Sequence, residues 1–169
     1  MHAKPSPNES GPGVYPVPTS GIVGAAGSRV SVPVASLGRL FNMPQVSYAS
    51  TSPLLSDQTR YSYFRRTIPA DDLQVQAMMD ILQRFGWNYV SVLHSEDTYG
   101  SAGVNEFVRV SAINGICIDL RRGIQPSLSD SEYNTIVEDL GNSRAKVVVF
   151  FAIQDAVREV LTRIHRTRL

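Results

Sequence analysis

The chain has one cysteine, Cys117, and three histidines, His2, His94 and His165, far apart along the sequence. A single cysteine excludes an internal disulfide and a thiolate metal cluster. Histidines so scattered provide neither metal-ligand nor triad spacing. Neither sign of charge dominates: the formal net charge is +1, which gives no global pull toward nucleic acid or a membrane surface. The longest apolar run, residues 147–153, is too short to span a bilayer. The opening residues 1–5 lack the apolar stretch of a secretory signal. Nucleophile-elbow, P-loop and zinc patterns are also missing. These absences predict a binding protein rather than an enzyme, with no catalytic residue, metal or cofactor.

The chain does contain regular alternation. Its 169 residues suffice for one ordinary domain, or for parts of two smaller lobes. Residues 1–20 carry five prolines among Gly and Ser, a leader without core periodicity. Within it, Asn8-Glu9-Ser10 is a glycosylation sequon, relevant only to a secreted chain. From Gly21 onward, apolar runs at 21–25, 45–49, 89–94, 116–120 and 146–152 read as buried strands.

Between the strands, apolar residues recur at helical spacing. A helix is expected over 28–41 with Val30, Val34, Leu37, Leu40 and Phe41 on one side. Others follow Asp71 or Asp72, span Val104 to Ala112, start at the capping-box pair Ser129 and Glu132, and cover Ala156 to Ile164. Strand and helix alternating at this interval predict right-handed crossovers and parallel sheets, the α/β class. Residues 49–71 interrupt the rhythm. A hydroxyl-rich loop there leads into an extended segment ending at Pro69, which predicts a crossing between lobes, with a boundary near Pro69.

Gly21, Gly24 and Gly27 depart from the dinucleotide fingerprint, and no acidic residue closes a strand at the required distance. Ser28, at the start of a helix, stands where free N–H groups can hold an anion, or it can simply cap the helix. Thr51 and its hydroxyl neighbours lie at the carboxyl end of a strand, the edge where open α/β sheets bind ligands. They can equally form turns that cap a short helical turn at Ser52 and Pro53. Asp71, with Gln74 three residues on, reads by default as a capping residue, and a cleft-facing carboxylate is the alternative. Tyr99 follows a strand at the same carboxyl edge. Glu96 and Asp97 read as solvated loop charges, and Trp87 and Tyr89 as packing below the edge.

The segments GIVGAAGSRVSVPVASLGRLFNMPQVSYASTS, LSDQTRYSYFRRTIPADDLQVQAMMDIL, FGWNYVSVLHSEDTYGSAG and KVVVFFAIQDAVREVL resemble the extracellular ligand-binding domain of metabotropic glutamate receptors, in class C of the G-protein-coupled receptors. The resemblance runs from about Gly21 to about Arg163. It implies an incomplete two-lobed, periplasmic-binding-protein-like (Venus flytrap) domain, with 21–69 in lobe 1 and 70–169 in lobe 2. It implies a glutamate-like amino acid as ligand, its α-carboxylate held by Ser28 and Thr51. The ammonium group would meet Ala49, Ser52, Asp71 and Tyr99.

By the same resemblance, Leu37, Leu40 and Phe41 form a homodimer surface, although helix periodicity alone fits a core role equally well. Lobe closure would signal to a G protein through a membrane domain outside this chain, placing the domain on the outer side of the plasma membrane. No nucleic-acid partner is implied. Cys117 matches a cysteine that bridges to a cysteine-rich domain in relatives. Arg29 stands where relatives carry a small or hydroxyl residue, Ile153 where they are more polar, and the family's distal-carboxylate binders lie outside the chain. A leader without resemblance and missing flanking strands suggest a fragment or incomplete gene model. Two other readings are a soluble amino-acid-binding protein of the same clamshell type and an α/β enzyme using the Gly21–Ser28 loop for a phosphate-bearing cofactor.

Overall fold

The computed structural model describes residues 19–125 and 127–167; the leader's proline-rich part and Asn8 lie outside them. Two parallel three-stranded sheets follow one another along the chain. The first contains β1 (Ile22–Val23), β2 (Gln45–Ser47) and β3 (Phe64–Arg66), in that spatial order. Helix α1 (Ser28–Leu40) connects β1 to β2, and a short 3-10 turn, Pro53–Ser56, lies between β2 and β3. Helix α2 (Asp71–Arg84) then leads to the second sheet. There β4 (Tyr89–Ser95) is central, flanked by β5 (Cys117–Ile124) and β6 (Val147–Phe151). Helices α3 (Thr98–Ile113) and α4 (Asp130–Asn142) make the crossovers, and α5 (Gln154–Thr167) follows β6. The expected α/β class is observed.

The second sheet is covered on both faces at its central strand: β4 is buried at four successive positions, Val90 to Leu93, and β6 beside it is apolar throughout. Val90, Val92, Val149 and Phe151 pack with Val75 and Met79 of α2 and Val104 and Phe107 of α3. The intervening positions Leu93, Val148 and Phe150 face Tyr133, Ile136, Ala156 and Val160 of α4 and α5. Ser129 and Glu132 form the expected capping box, the Ser129 N–H donating to Glu132 Oε2 at 2.7 Å.

Several expectations require correction. The segment read as a plain crossing contains β3, paired in parallel register with β2 along Gln45–Phe64, Val46–Arg65 and Ser47–Arg66. A strand this short and basic carries no apolar-run signal; pairing with β2 defines it. Trp87 stacks on Phe85 with centroids 4.8 Å apart, yet both rings are exposed, and Tyr89 donates from its hydroxyl to Asp119. These aromatics are therefore not interior packing. The apolar stripe of α1 faces outward: Leu40 is 73% and Phe41 72% exposed, and Leu37 is exposed too. The buried side of α1 consists of Ser28, Ser31, Ala35 and Gly38, small residues that let the helix approach the sheet closely.

Helix α3 likewise rests on small residues. A Cβ on Gly100 would collide with the Ser95 carbonyl oxygen and stand 2.7 Å from that of Phe151. Gly100→Ala is expected to destabilise the chain by about 1–3 kcal/mol, the usual cost of overpacking a tight site, read from the midpoint of chemical denaturation.

Candidate functional site

The carboxyl ends of β1 and β2 are joined by side-chain hydroxyls rather than by more strand. Ser47 Oγ donates to the Ala25 carbonyl at 2.6 Å and accepts the Ser50 N–H at 2.9 Å. Ser50 Oγ reaches Ser31 Oγ at 2.7 Å and the carbonyls of Ala25 and Ala26 at 3.1 and 3.2 Å. The Gln45 amide donates to the Gly24 carbonyl at 2.8 Å. Gly24 has φ +126°, a conformation that L side chains rarely adopt, and this turns the chain from β1 toward α1. The glycine loop is thus held through its carbonyls by buried donors. A phosphate cradle would instead need its amides turned toward the ligand.

This network decides what Ser28 and Thr51 do. The N-cap of α1 is Gly27, and Ser28 caps nothing; its Oγ accepts the Ser52 N–H at 3.1 Å. Ser52 precedes the 3-10 turn without a side-chain cap, so the capping alternative fails there as well. The Thr51 carbonyl accepts the Asp71 N–H at 2.9 Å. Among the described residues the Thr51 N–H has no partner, and neither have the N–H groups of Ser28 and Arg29 at the start of α1. Free donors on β2's end and on α1's positive end therefore face the same space.

That space is a cavity of about 430 Å³ between the two sheets' carboxyl edges. Ser28, Arg29, Ala49 and Thr51 line one side, with Gln74, Asp97, Tyr99 and Ile153 on the other. Tyr99 sits in the first turn of α3, which begins earlier than the sequence periodicity indicated. Asp97 is no solvated loop charge: it caps α3, accepting from the Gly100 N–H at 2.8 Å and Ser95 Oγ at 3.0 Å. Glu96 is exposed and accepts from Gln125. Arg29 also lines a second, contiguous cavity of about 390 Å³, together with Asp97 and Ile153.

Asp71 borders an adjoining cavity of about 320 Å³ that shares Thr51 and Gln74 with the first. It is the first residue of α2, whose N-cap is Ala70, and its side chain caps nothing. The default capping reading is therefore overturned. Asp71 is 1% exposed and neither carboxylate oxygen has a hydrogen-bond partner among the described residues. Burial pushes its carboxyl above the usual range, opposed by the nearby Thr51 hydroxyl and Arg66 guanidinium. Tyr99 is also raised, first by burial and then by the negative charge of Asp71 close by. Ser52 Oγ is fully buried without a partner, behind the cavity wall rather than on it.

Of the residues selected from sequence, Ser28, Ala49, Thr51 and Tyr99 meet at one cavity and Asp71 at its neighbour. Gln74 and Asp97 also belong there. The i, i+3 spacing from Asp71 could have revealed Gln74, because both fall on one face of α2. Groups of acidic, histidine or cysteine side chains suited to a metal ion are absent among the described residues.

A sequence profile described as "Receptor family ligand binding region" matches residues 3–169. The chain belongs to this family. Its match begins ahead of Gly21, where the resemblance alone begins. Metabotropic glutamate receptor 8 of Homo sapiens is 46% identical over 144 residues, covering 84% of this chain and 16% of the relative. Metabotropic glutamate receptor 4 of Mus musculus is 45% identical over 148 residues, 86% of this chain and 16% of that protein. Metabotropic glutamate receptor 6 of Oryctolagus cuniculus is 44% identical over 150 residues, 88% and 17%. This receptor-family domain thus spans about a sixth of the length of these relatives. No described helix is long and apolar enough to cross a membrane.

An acid whose folded pKa is raised binds its proton more tightly when folded. Stability therefore falls as pH rises from the ordinary aspartate range through the raised folded value. Asp71→Asn removes that dependence. The variant is expected to be more stable than the parent at neutral pH, with the gap closing in acid below about pH 3.9, as read by denaturation across pH.

Proposed function

We propose that the cavity between the two sheets binds an L-α-amino acid of the glutamate type and that the chain is the ligand-recognition part of a class C receptor. The observation that carries this reading is Asp71: a buried carboxylate with two unpartnered oxygens beside a wall of unpartnered donors. A buried charge without a partner costs stability, and such groups concentrate at functional sites. The arrangement is complementary to a zwitterion. Ser28, Thr51 and the first N–H groups of α1 suit an α-carboxylate. Asp71, the Ala49 carbonyl and the Tyr99 hydroxyl suit an ammonium group, while Ser52, buried behind the cavity wall, is not among the groups that line it. The receptor names of the relatives support glutamate as the ligand type.

In this reading residues 21–69 belong to one lobe and 70–169 to the other. A ligand bridging Ser28 and Thr51 to Asp71 and Tyr99 favours the closed arrangement through contacts made only there, a shift of population. Closure would then be passed through a dimer, with Leu37, Leu40 and Phe41 at the contact, to a membrane domain and its G protein. Their exposure on α1 supports that contact, because apolar side chains of this size facing water gain by burial against a second copy. The domain would act outside the cell.

Thr51→Ala in the full chain is expected to weaken binding of L-glutamate by about 1.5–3 kcal/mol, the scale of a hydrogen bond to a charged group. Titration calorimetry would measure it, and an unchanged affinity would remove Thr51 from the site. Affinity should also fall as pH is lowered through the raised pKa of Asp71, since only its ionised form attracts an ammonium. Phe41→Asp is expected to shift the protein toward monomer in sedimentation velocity while leaving amino-acid affinity intact. Persistence of the dimer would refute the α1 contact.

A further inference from the structure

The amino-acid reading assigns no role to Arg66, the last residue of β3. Its half-buried guanidinium forms no salt bridge among the described residues, although Asp71 and Asp72 are close enough to affect its protonation. Its donors go instead to neutral acceptors around one short loop. Nη1 donates to the Ser52 carbonyl at 3.0 Å and to the Ser50 carbonyl at 3.4 Å. Nη2 donates to Ser56 Oγ in the following 3-10 turn.

Thr51 lies between the two bonded carbonyls, and its own carbonyl is taken by the Asp71 N–H. The carbonyls of residues 50, 51 and 52 are thus all engaged, while the Thr51 N–H is not. A fork of donors in one plane is a property of arginine that a lysine ammonium cannot reproduce. Half-burying a guanidinium without a carboxylate partner is costly unless its hydrogen bonds are made. Two of these bonds hold the residues on either side of Thr51, and the third ties the guanidinium to the turn that follows.

We infer that Arg66 is a positioning residue for the ligand's α-carboxylate: its guanidinium locks the peptide units on both sides of Thr51 so that the Thr51 hydroxyl and N–H are aimed into the cavity before ligand arrives. The inference rests on the amino-acid reading above and deepens it. Preorganised donors lose less freedom on binding, so unlocking the loop lowers affinity even though Arg66 itself does not line the cavity.

The test is a double-mutant cycle on the full chain, with L-glutamate as probe in titration calorimetry. Arg66→Lys keeps a positive charge near Asp71 but not the fork. It is expected to weaken binding about tenfold while leaving the unfolding midpoint close to that of the parent. Thr51→Ala removes the hydroxyl and keeps the N–H, so the double variant should lose clearly less than the sum of the two single losses, because part of what Arg66 holds in place is already gone. A purely structural role of Arg66 would instead add its loss in full to the double variant, and that additive result overturns the inference. So does an unchanged affinity in Arg66→Lys.

If Arg66→Lys does not fold, Ser56→Ala serves in its place. It removes one anchor of the guanidinium at an exposed position, and a loss of about threefold that shrinks in the Thr51→Ala background supports the inference. No loss overturns it. A parent protein that binds none of the twenty amino acids defeats the amino-acid reading itself, a result distinct from normal parent binding with additive variants.

Discussion

The site depends on one constraint: the loop after β2 cannot satisfy its own backbone. Three residues of strand end at Ser47, and the peptide groups that follow have neither a ladder nor a helix to join. Buried peptide groups must be paired, so the chain supplies hydroxyls and one guanidinium instead. Ser47 and Ser50 tie the loop to Ala25 and Ala26, Ser28 holds the Ser52 N–H, and Arg66 takes the carbonyls on either side of Thr51. What this pairing leaves over borders the cavity. The Thr51 N–H is left without a partner among the described residues, and the Thr51 hydroxyl stands near the Asp71 carboxylate where the two cavities meet.

The opposite wall follows a different logic. Asp71 is buried at the first turn of α2, where the helix dipole favours a negative charge, but no donor completes its coordination. The second sheet is sealed on both faces by four helices, a robust base from which one poorly solvated carboxylate can be tolerated. Asp71 is thus held at a local cost in stability, its carboxylate buried without a hydrogen-bond partner among the described residues. Tyr99 shares that environment, its hydroxyl made less acidic by the same burial and the same charge.

Much of the architecture was legible in the primary structure, and for physical reasons. Strand β6 is an unbroken run of Val and Phe, and the Ser129–Glu132 capping box is a local motif that needs no tertiary context. Local rules failed where distant groups competed. Asp71 satisfied the capping pattern with Gln74, and Ser28 the pattern of an N-cap, yet each side chain is turned elsewhere. The stripe on α1 had correct periodicity, but periodicity left open whether it faced the core; the small residues Ser31, Ala35 and Gly38 take the inner side, and Leu37, Leu40 and Phe41 face outward. β3 was invisible, since a Phe-Arg-Arg segment becomes a strand only through its partner.

The sequence by itself therefore determined the α/β alternation, the family, and several positions at strand and helix ends that line the cavity. Hydrophobic periodicity and order-specific motifs are properties of neighbours along the chain. Tertiary structure alone decided which hydroxyls are structural and which are free, left Asp71 buried without a partner, and brought Arg66 around Thr51. Those outcomes turn on hydrogen-bond competition among residues twenty or so positions apart, as between Ser28 and Ser52 or Ser31 and Ser50. A donor's partner is fixed only when the chain has folded back on itself, and no local pattern records which acceptor wins.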